Sequence, residues 1–127
     1  MERLPYIDQY SRIVTADRER TWAALLRSMC RDPDDLRTAP AGFAVGEINP
    51  PRRLTFEGHH RFSRYALVFS LSEAESGRTA LTAESRAEFP GVAGRVYRAL
   101  VIGSGGHRVM VRRLLRRIAT AAERSPA

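Results

Sequence analysis

The chain has 127 residues, and its 21 basic residues are all arginine, against 14 acidic residues. The absence of lysine excludes a Schiff-base lysine and a phosphate-binding loop of the Gly-Lys-Ser/Thr type. A single cysteine, Cys30, excludes an internal disulfide, a zinc ribbon and a Cys-x-x-Cys redox pair. The length favours one domain over residues 1–127, and the 43% apolar content is ordinary for a folded protein.

Compartment and partners are constrained only weakly. The apolar runs are much shorter than the roughly 20 residues that span a bilayer, and the first five residues do not resemble a secretory signal. With one thiol, a reducing cytoplasm is the simplest location. The net charge of +7 invites a nucleic-acid interpretation. Arginine without lysine, beside abundant alanine, is also typical of a high-GC genome, which favours ordinary surface positions instead.

The first third of the chain predicts a strand and then a helix. Residues 6–15 contain β-branched and aromatic residues without glycine or proline, which favours a strand. Asp17 stands where a helix N-cap belongs, and residues 18–29 have helical composition. One apolar stripe at helical spacing joins Trp22, Leu25, Leu26 and Met29. A short strand over 43–48 and a turn at 49–51 follow.

Three alternating segments predict an antiparallel sheet with one apolar face. They cover residues 54–62, 65–71 and 81–89, and Ser76-Gly77 predicts the last hairpin. The apolar positions are Leu54, Phe56, Gly58, His60 and Phe62, then Tyr65, Leu67, Phe69 and Leu71, then Leu81, Ala83, Ser85, Ala87 and Phe89.

Residues 92–123 change to a helical period. Their stripe comprises Val96, Leu100, Gly103, His107, Val111 (or Met110), Leu114, Ile118 and Ala121. Three glycines between 103 and 106 predict a kink or a break. The order of elements predicts an α+β fold, in which a curved antiparallel sheet wraps around a long C-terminal helix and leaves space for an apolar ligand.

Three short patterns in this order resemble the SRPBCC superfamily, the START and polyketide cyclase-like helix-grip proteins. Residues 13–22 resemble the first strand and helix of that family, with Ala16 and Trp22 in register and Asp17 in place of a proline. Residues 47–54 resemble its Pro-Pro-x-x-Leu turn, and residues 77–82 resemble its Gly-x-Thr-x-Leu hairpin.

The resemblance implies a cofactor-free and metal-free site for a lipid, polyketide, aromatic or isoprenoid ligand, with cyclase or dehydratase chemistry possible. One departure stands out, because only residues 31–46 fill a gap where relatives have further strands. This departure predicts either a sheet with fewer strands or a cavity that is smaller or more open. A sheet with fewer strands has an exposed edge, and we therefore expect that a second copy can pair there as a homodimer.

A ligand-binding set follows from the pattern and the fold together. It comprises Trp22, Phe56, Phe62, Tyr65, Phe69, Ser85, Phe89, Tyr97 and Leu100. For any single aromatic residue of this set, plain core packing is the simpler explanation, whereas the set as a whole favours some residues that face a pocket. The small side chains of Ala83, Ser85 and Ala87 favour a cavity, because they leave volume opposite the helix.

Two histidines are the candidate catalytic groups. His60 and His107 both fall on apolar faces, and imidazole suits proton transfer near neutral pH. Hydrogen-bonded structural histidines explain the same pattern, and no ligand spacing predicts a metal site. If the protein is an enzyme, these two residues transfer protons while Tyr97 orients the substrate.

The last helix offers an alternative function of a different class. Arg112-Arg113 and Arg116-Arg117 recur four residues apart and form a basic ridge. Such a ridge suits the phosphates of nucleic acid or an anionic membrane surface. A solvated face of a packed helix gives the same pattern.

Overall fold

The computed structural model describes residues 4–32, 34–35, 38–40, 42–60 and 63–124. Its elements are β1 (Tyr6–Val14), α1 (Arg18–Met29), β2 (Ala44–Asn49), β3 (Arg53–His60), β4 (Ser63–Glu73), β5 (Thr79–Glu88), α2 (Gly91–Val101) and α3 (Gly106–Arg124). A single 3₁₀ turn, Glu75–Gly77, joins β4 to β5. The fold is therefore α+β, as the sequence predicts.

The five strands form one open antiparallel sheet in the order β1-β5-β4-β3-β2. Consecutive hairpins join β2 to β5, and β1 pairs with β5 at the far side. The strands β1 and β2 are therefore the edges. Within the described residues, no additional strand lies between α1 and β2, which matches the expectation of a reduced sheet.

Helix α1 begins where the sequence predicts. The Asp17 side chain accepts a hydrogen bond from the backbone N–H of Arg20 at 2.8 Å, which satisfies one free donor of the first turn. The helix ends at Cys30, whose backbone N–H donates to the Leu26 carbonyl. Leu25 and Met29 are buried, while Trp22 and Leu26 pack at the border of the core.

Helices α1 and α3 pack together and cover one face of the sheet, which we call the concave face. Alternation along the strands buries Leu54, Phe56, Phe69 and Leu81 beneath them. The contribution of α3 comes from Val111, Leu114, Leu115, Ile118, Ala119 and Ala122. The C-terminal part of α3 therefore fills the concave face with packed side chains.

Helix α2 departs from the prediction that one stripe runs along the whole C-terminal segment against the sheet. Val96 and Leu100 are 56% and 68% exposed, and within the described chain α2 packs extensively against no strand. The break falls at the predicted glycines, where Gly105 has a φ of 81° that favours glycine. Because helical phase does not survive such a break, the stripe is correct for α3 and wrong for α2.

Candidate functional site

A polar cluster of Asp8, Ser85 and His107 lies on the mainly apolar concave face. Antiparallel register places Asp8 directly opposite Ser85. His107, in the first turn of α3, lies above them with its Nε2 3.0 Å from Ser85 Oγ and 3.4 Å from Asp8 Oδ1. Two strands that are distant in sequence but adjacent in the sheet therefore contribute to one polar cluster with a helix.

The cluster is partly open to solvent. His107 keeps 15% and Asp8 23% of side-chain exposure, while Ser85 is 5% exposed as a residue. Asp8 Oδ1 is buried and has no hydrogen-bond partner among the described residues. Asp8 is thus a carboxylate within ion-pair distance of the His107 ring.

The geometry differs from that of a Ser-His-Asp catalytic triad. In a triad, serine and carboxylate contact opposite ring nitrogens, so the carboxylate orients the ring while the other nitrogen takes the serine proton. Here both Ser85 and Asp8 face the same nitrogen of His107. The arrangement suits hydrogen bonding and proton transfer to a bound molecule better than activation of Ser85 as a nucleophile.

An aromatic wall stands beside the polar cluster. Tyr65 pairs with Ala87, the next concave residue after Ser85 on β5. The Tyr65 hydroxyl donates to the Gly42 carbonyl at 2.7 Å, and its ring lies 5.0 Å from that of Phe43, centroid to centroid. A Cβ at Gly58 would collide with the Gly42 carbonyl and the Tyr65 ring, so glycine there permits this placement.

A second aromatic group joins the end of β5 to α2. The ring centroid of Phe89, just after β5, lies 6.1 Å from that of Tyr97 on α2. The guanidinium of Arg98 lies over the Phe89 ring at 5.9 Å. Tyr97 is half-buried, and α2 therefore contacts Phe89 through both Tyr97 and Arg98.

The sequence-predicted site residues divide into three groups. Ser85 and His107 meet at the polar cluster, with Tyr65 on the same concave face and the Phe89–Tyr97 pair after β5. Phe56 and Phe69 are fully buried core residues, and Trp22 packs beside that core. Leu100 is exposed on α2 and does not belong to the concave face.

The remaining candidates are only partly described. Phe62 lies outside the described residues, and so does the side chain of His60, whose backbone ends β3. The predicted pairing of His60 with His107 therefore stays a prediction. Asp8 was missed because its partner Ser85 is 77 positions away, and only the strand register joins them.

The larger of two clefts in the described chain lies mainly on the face of the sheet opposite to the predicted cavity, although Gly58 and Tyr65 also line it. It has a volume of about 670 Å³, and buried Thr55 and Val68 are among its lining residues. Charged residues also line it, including Arg53 and Arg86, which pair with Glu47 and Glu84 respectively. A second hollow of about 390 Å³ lies on the outer side of α3 between arginines.

Neither of these two clefts lies between the sheet and α3, so they give no support to a large cavity there. The described residues contain no group of three or more His, Cys, Asp or Glu side chains placed to hold a metal ion. In the same part of the chain, no helix is long and apolar enough to cross a membrane.

No protein-family model matches the sequence, and no curated protein matches it significantly. Solved structures do match the fold. A protein of Mesorhizobium loti (MLL2253) has a TM-score of 0.64 at 15% identity, over 94% of this chain and 98% of its own. A conserved protein of Geobacillus kaustophilus has a TM-score of 0.61 at 17% identity, over 90% of this chain and 93% of its own.

A third match is CalU16 of Micromonospora echinospora, with a TM-score of 0.57 at 18% identity, over 91% of this chain and 82% of its own. These likenesses extend over nearly the whole chain. At such low identity they establish a shared overall fold and nothing about ligand or activity.

Proposed function

We propose that this chain is a helix-grip protein that binds a small amphipathic molecule on its concave face, at the N-terminal end of α3. The observation that carries the proposal is the polar cluster of Asp8, Ser85 and His107. The cluster is partly exposed to solvent and lies on a mainly apolar face. A hydroxyl or carbonyl group of the ligand hydrogen-bonds to Ser85 and His107. Its apolar body lies along Ala87, Tyr65 and the Phe89–Tyr97 pair.

The packing of α3 supports this position. Its C-terminal part fills the concave face with buried side chains from Val111 onwards, whereas its first turn presents a histidine. Small residues occupy the strand beneath that turn, since β5 presents Ser85 and Ala87 there. Ligand sites combine apolar walls with a few placed polar groups, and this end of the face has both.

His107 is the residue through which chemistry would proceed. Imidazole exchanges a proton near neutral pH, and the adjacent Asp8 carboxylate is a counter-ion for its charged form. A dehydration or aldol-type cyclisation therefore suits this site, in which His107 takes a proton from a substrate carbon and returns it to the departing hydroxyl or the new alkoxide, with Ser85 holding the substrate oxygen.

Displacement of the neutral dye Nile red by a panel of fatty alcohols, fatty acids and aromatic polyketides tests the proposal. We expect Ala87→Phe to block dye binding, because the larger side chain occupies the site in front of Tyr65. Ala80→Phe is the matched control, since Ala80 lies on the same strand but on the opposite face. The folded fraction of each variant is measured by thermal denaturation, and dye binding is expressed per folded molecule.

Ser85→Ala gives a second readout that does not depend on filling space. Loss of one hydrogen bond weakens binding of hydroxyl-bearing ligands about fivefold, while Nile red affinity stays unchanged. Equal dye binding by the Ala87→Phe and Ala80→Phe variants, or ligand affinity that Ser85→Ala leaves intact, contradicts the proposed site.

A further inference from the structure

The formal net charge of the chain resides entirely in its last two helices. Residues 91–124 contain eight arginines and one acidic residue, Glu123, a net charge of +7. The other 13 arginines are balanced by the other 13 acidic residues. The high arginine content is therefore spread along the whole chain, but the uncompensated charge is not.

The same segment holds most of the large apolar side chains that the fold leaves exposed. Eight such residues are exposed in the described chain, and five of them are Val92, Val96, Leu100, Val109 and Met110. The remaining three, Tyr6, Ile13 and Ile48, are scattered over β1 and β2. Exposed apolar residues that cluster in one segment indicate an interaction surface, whereas scattered ones need no explanation.

On α2 the exposed apolar residues form one stripe that faces away from the protein. Val92, Val96 and Leu100 follow each other at intervals of four residues, so they share one side of the helix. The least exposed residues of α2 are Gly94, Tyr97 and Val101, which lie on the other side. The stripe therefore remains open after α2 has made its contact with Phe89.

On α3 the apolar and basic residues share the outer side. Val109 is four residues before Arg113, and Met110 is seven before Arg117, so they extend the basic ridge by one turn. Arg113, Arg116, Arg117 and Arg124 together line the shallow hollow there. Among the ion pairs between described residues, none involves an arginine of α2 or α3.

We propose that α2 and the outer side of α3 form a docking surface for an anionic lipid bilayer. The surface is defined by Val92, Val96, Leu100, Val109 and Met110 with Arg95, Arg113, Arg116, Arg117 and Arg124. Amphipathic basic helices lie in the plane of such membranes, with apolar side chains among the acyl chains and arginines at the headgroups.

The apolar component is what favours a membrane over nucleic acid. Phosphate contacts satisfy the arginines in either case, but a nucleic-acid backbone leaves exposed valine, leucine and methionine side chains in water. A bilayer accommodates both kinds of side chain at once. This inference is independent of the concave-face ligand, because the stripe on α2 and the outer side of α3 do not contribute to that site.

Co-sedimentation with vesicles of phosphatidylcholine alone, or of phosphatidylcholine with an equal amount of phosphatidylglycerol, tests the proposal. We expect binding to the anionic vesicles only, and weaker binding as salt is raised. The double variant Arg113→Gln/Arg117→Gln should lose roughly thirtyfold in partition coefficient, since each basic residue near an anionic surface contributes about fivefold. Val96→Asn/Leu100→Gln should lose at least roughly tenfold, because it removes inserted apolar area.

The matched control is Arg52→Gln/Ile13→Asn, which makes the same kinds of change at exposed positions outside the surface and should leave binding unchanged. Circular dichroism verifies that each variant is folded. The proposal is overturned by the absence of vesicle binding, or by equal binding to both vesicle types. DNA binding also overturns it, if Arg113→Gln/Arg117→Gln weakens that binding and Val96→Asn/Leu100→Gln leaves it unchanged. A further contradicting result is concentration-dependent dimerisation that Val96→Asn/Leu100→Gln abolishes. That result would assign the stripe to contact with a second copy of the chain and refute the membrane-docking proposal.

Discussion

Cys30, the lone thiol, is buried at the C-terminal end of α1 with 3% of its surface exposed. Burial raises the pKa of this thiol above its ordinary value, and the nearby carboxylates of Asp35 and Asp32 raise it further. The reactive form of cysteine is the thiolate. We therefore expect slow alkylation of Cys30 by iodoacetamide in the native protein at neutral pH, and fast alkylation after unfolding.

The same shift has a consequence for stability. Because the pKa is raised in the folded state, the thiol contributes stability below the pKa of the unfolded chain, and this contribution is lost as the pH rises towards the folded value. As the pH is raised from neutral to about 10, the free energy of unfolding should fall further for the wild-type protein than for the Cys30→Ala variant. Parallel pH profiles in denaturant melts of the two proteins would refute the shift.

Individual residues also show where sequence reasoning stops. His107 and Ser85 could be selected as candidates because each carries suitable chemistry on an apolar stripe. Asp8 could not, since it lies in a strand whose pattern does not single it out, and the register with β5 places it in the site. Contacts between positions this far apart depend on strand pairing, which alternation does not determine.

The start of α1 is an element whose signal is entirely local. Asp17→Ala removes the acceptor for the Arg20 N–H and should lower the free energy of unfolding by about 1 kcal/mol. Asp17→Asn retains a side-chain oxygen and should stay near the wild-type value. Chemical denaturation of the three proteins checks this, and an equal loss in both variants would assign the effect to charge rather than to capping.

The break between α2 and α3 makes a contrasting prediction for two leucine-sized residues of one predicted stripe. Ile118 is fully buried on α3, so Ile118→Ala should cost about 2–5 kcal/mol of unfolding free energy. Leu100 is largely exposed on α2, and Leu100→Ala should change it by less than about 0.5 kcal/mol. Comparable losses in the two variants would mean that α2 packs against the sheet in solution.

These elements also show how much of the architecture can be predicted from the sequence. Alternation located the strands, the capping residue located α1, and the glycines located the break, because each depends on neighbouring residues. The direction of α2 was not predictable from its pattern. Periodicity determines which residues share a side of a helix, but what that side meets depends on the backbone angles of residues 102–105.

For the molecule as a whole, the α+β fold class predicted from the sequence agrees with the five-stranded sheet and its helices. The position of the open clefts differs from the predicted position. A cavity between sheet and helix was expected, yet α3 fills much of the concave face and the larger cleft lies mainly on the opposite face. The alternation along the strands predicts that only one face of the sheet is apolar. Thr55 and Val68 are nevertheless buried on the other face, beside charged side chains that line the cleft.

Methyl NMR during titration with an amphipathic probe such as decanol distinguishes the two faces directly. Leu67 and Val68 are adjacent on β4 and point to opposite sides of the sheet, with Leu67 opposite Ser85 and Val68 opposite Glu84. Binding at the concave site shifts the methyl signals of Leu67 and Ala87, together with the ring signals of His107, and leaves Val68 unchanged. Shifts confined to Val68 and Thr55 would place the ligand in the opposite cleft and contradict the proposed site.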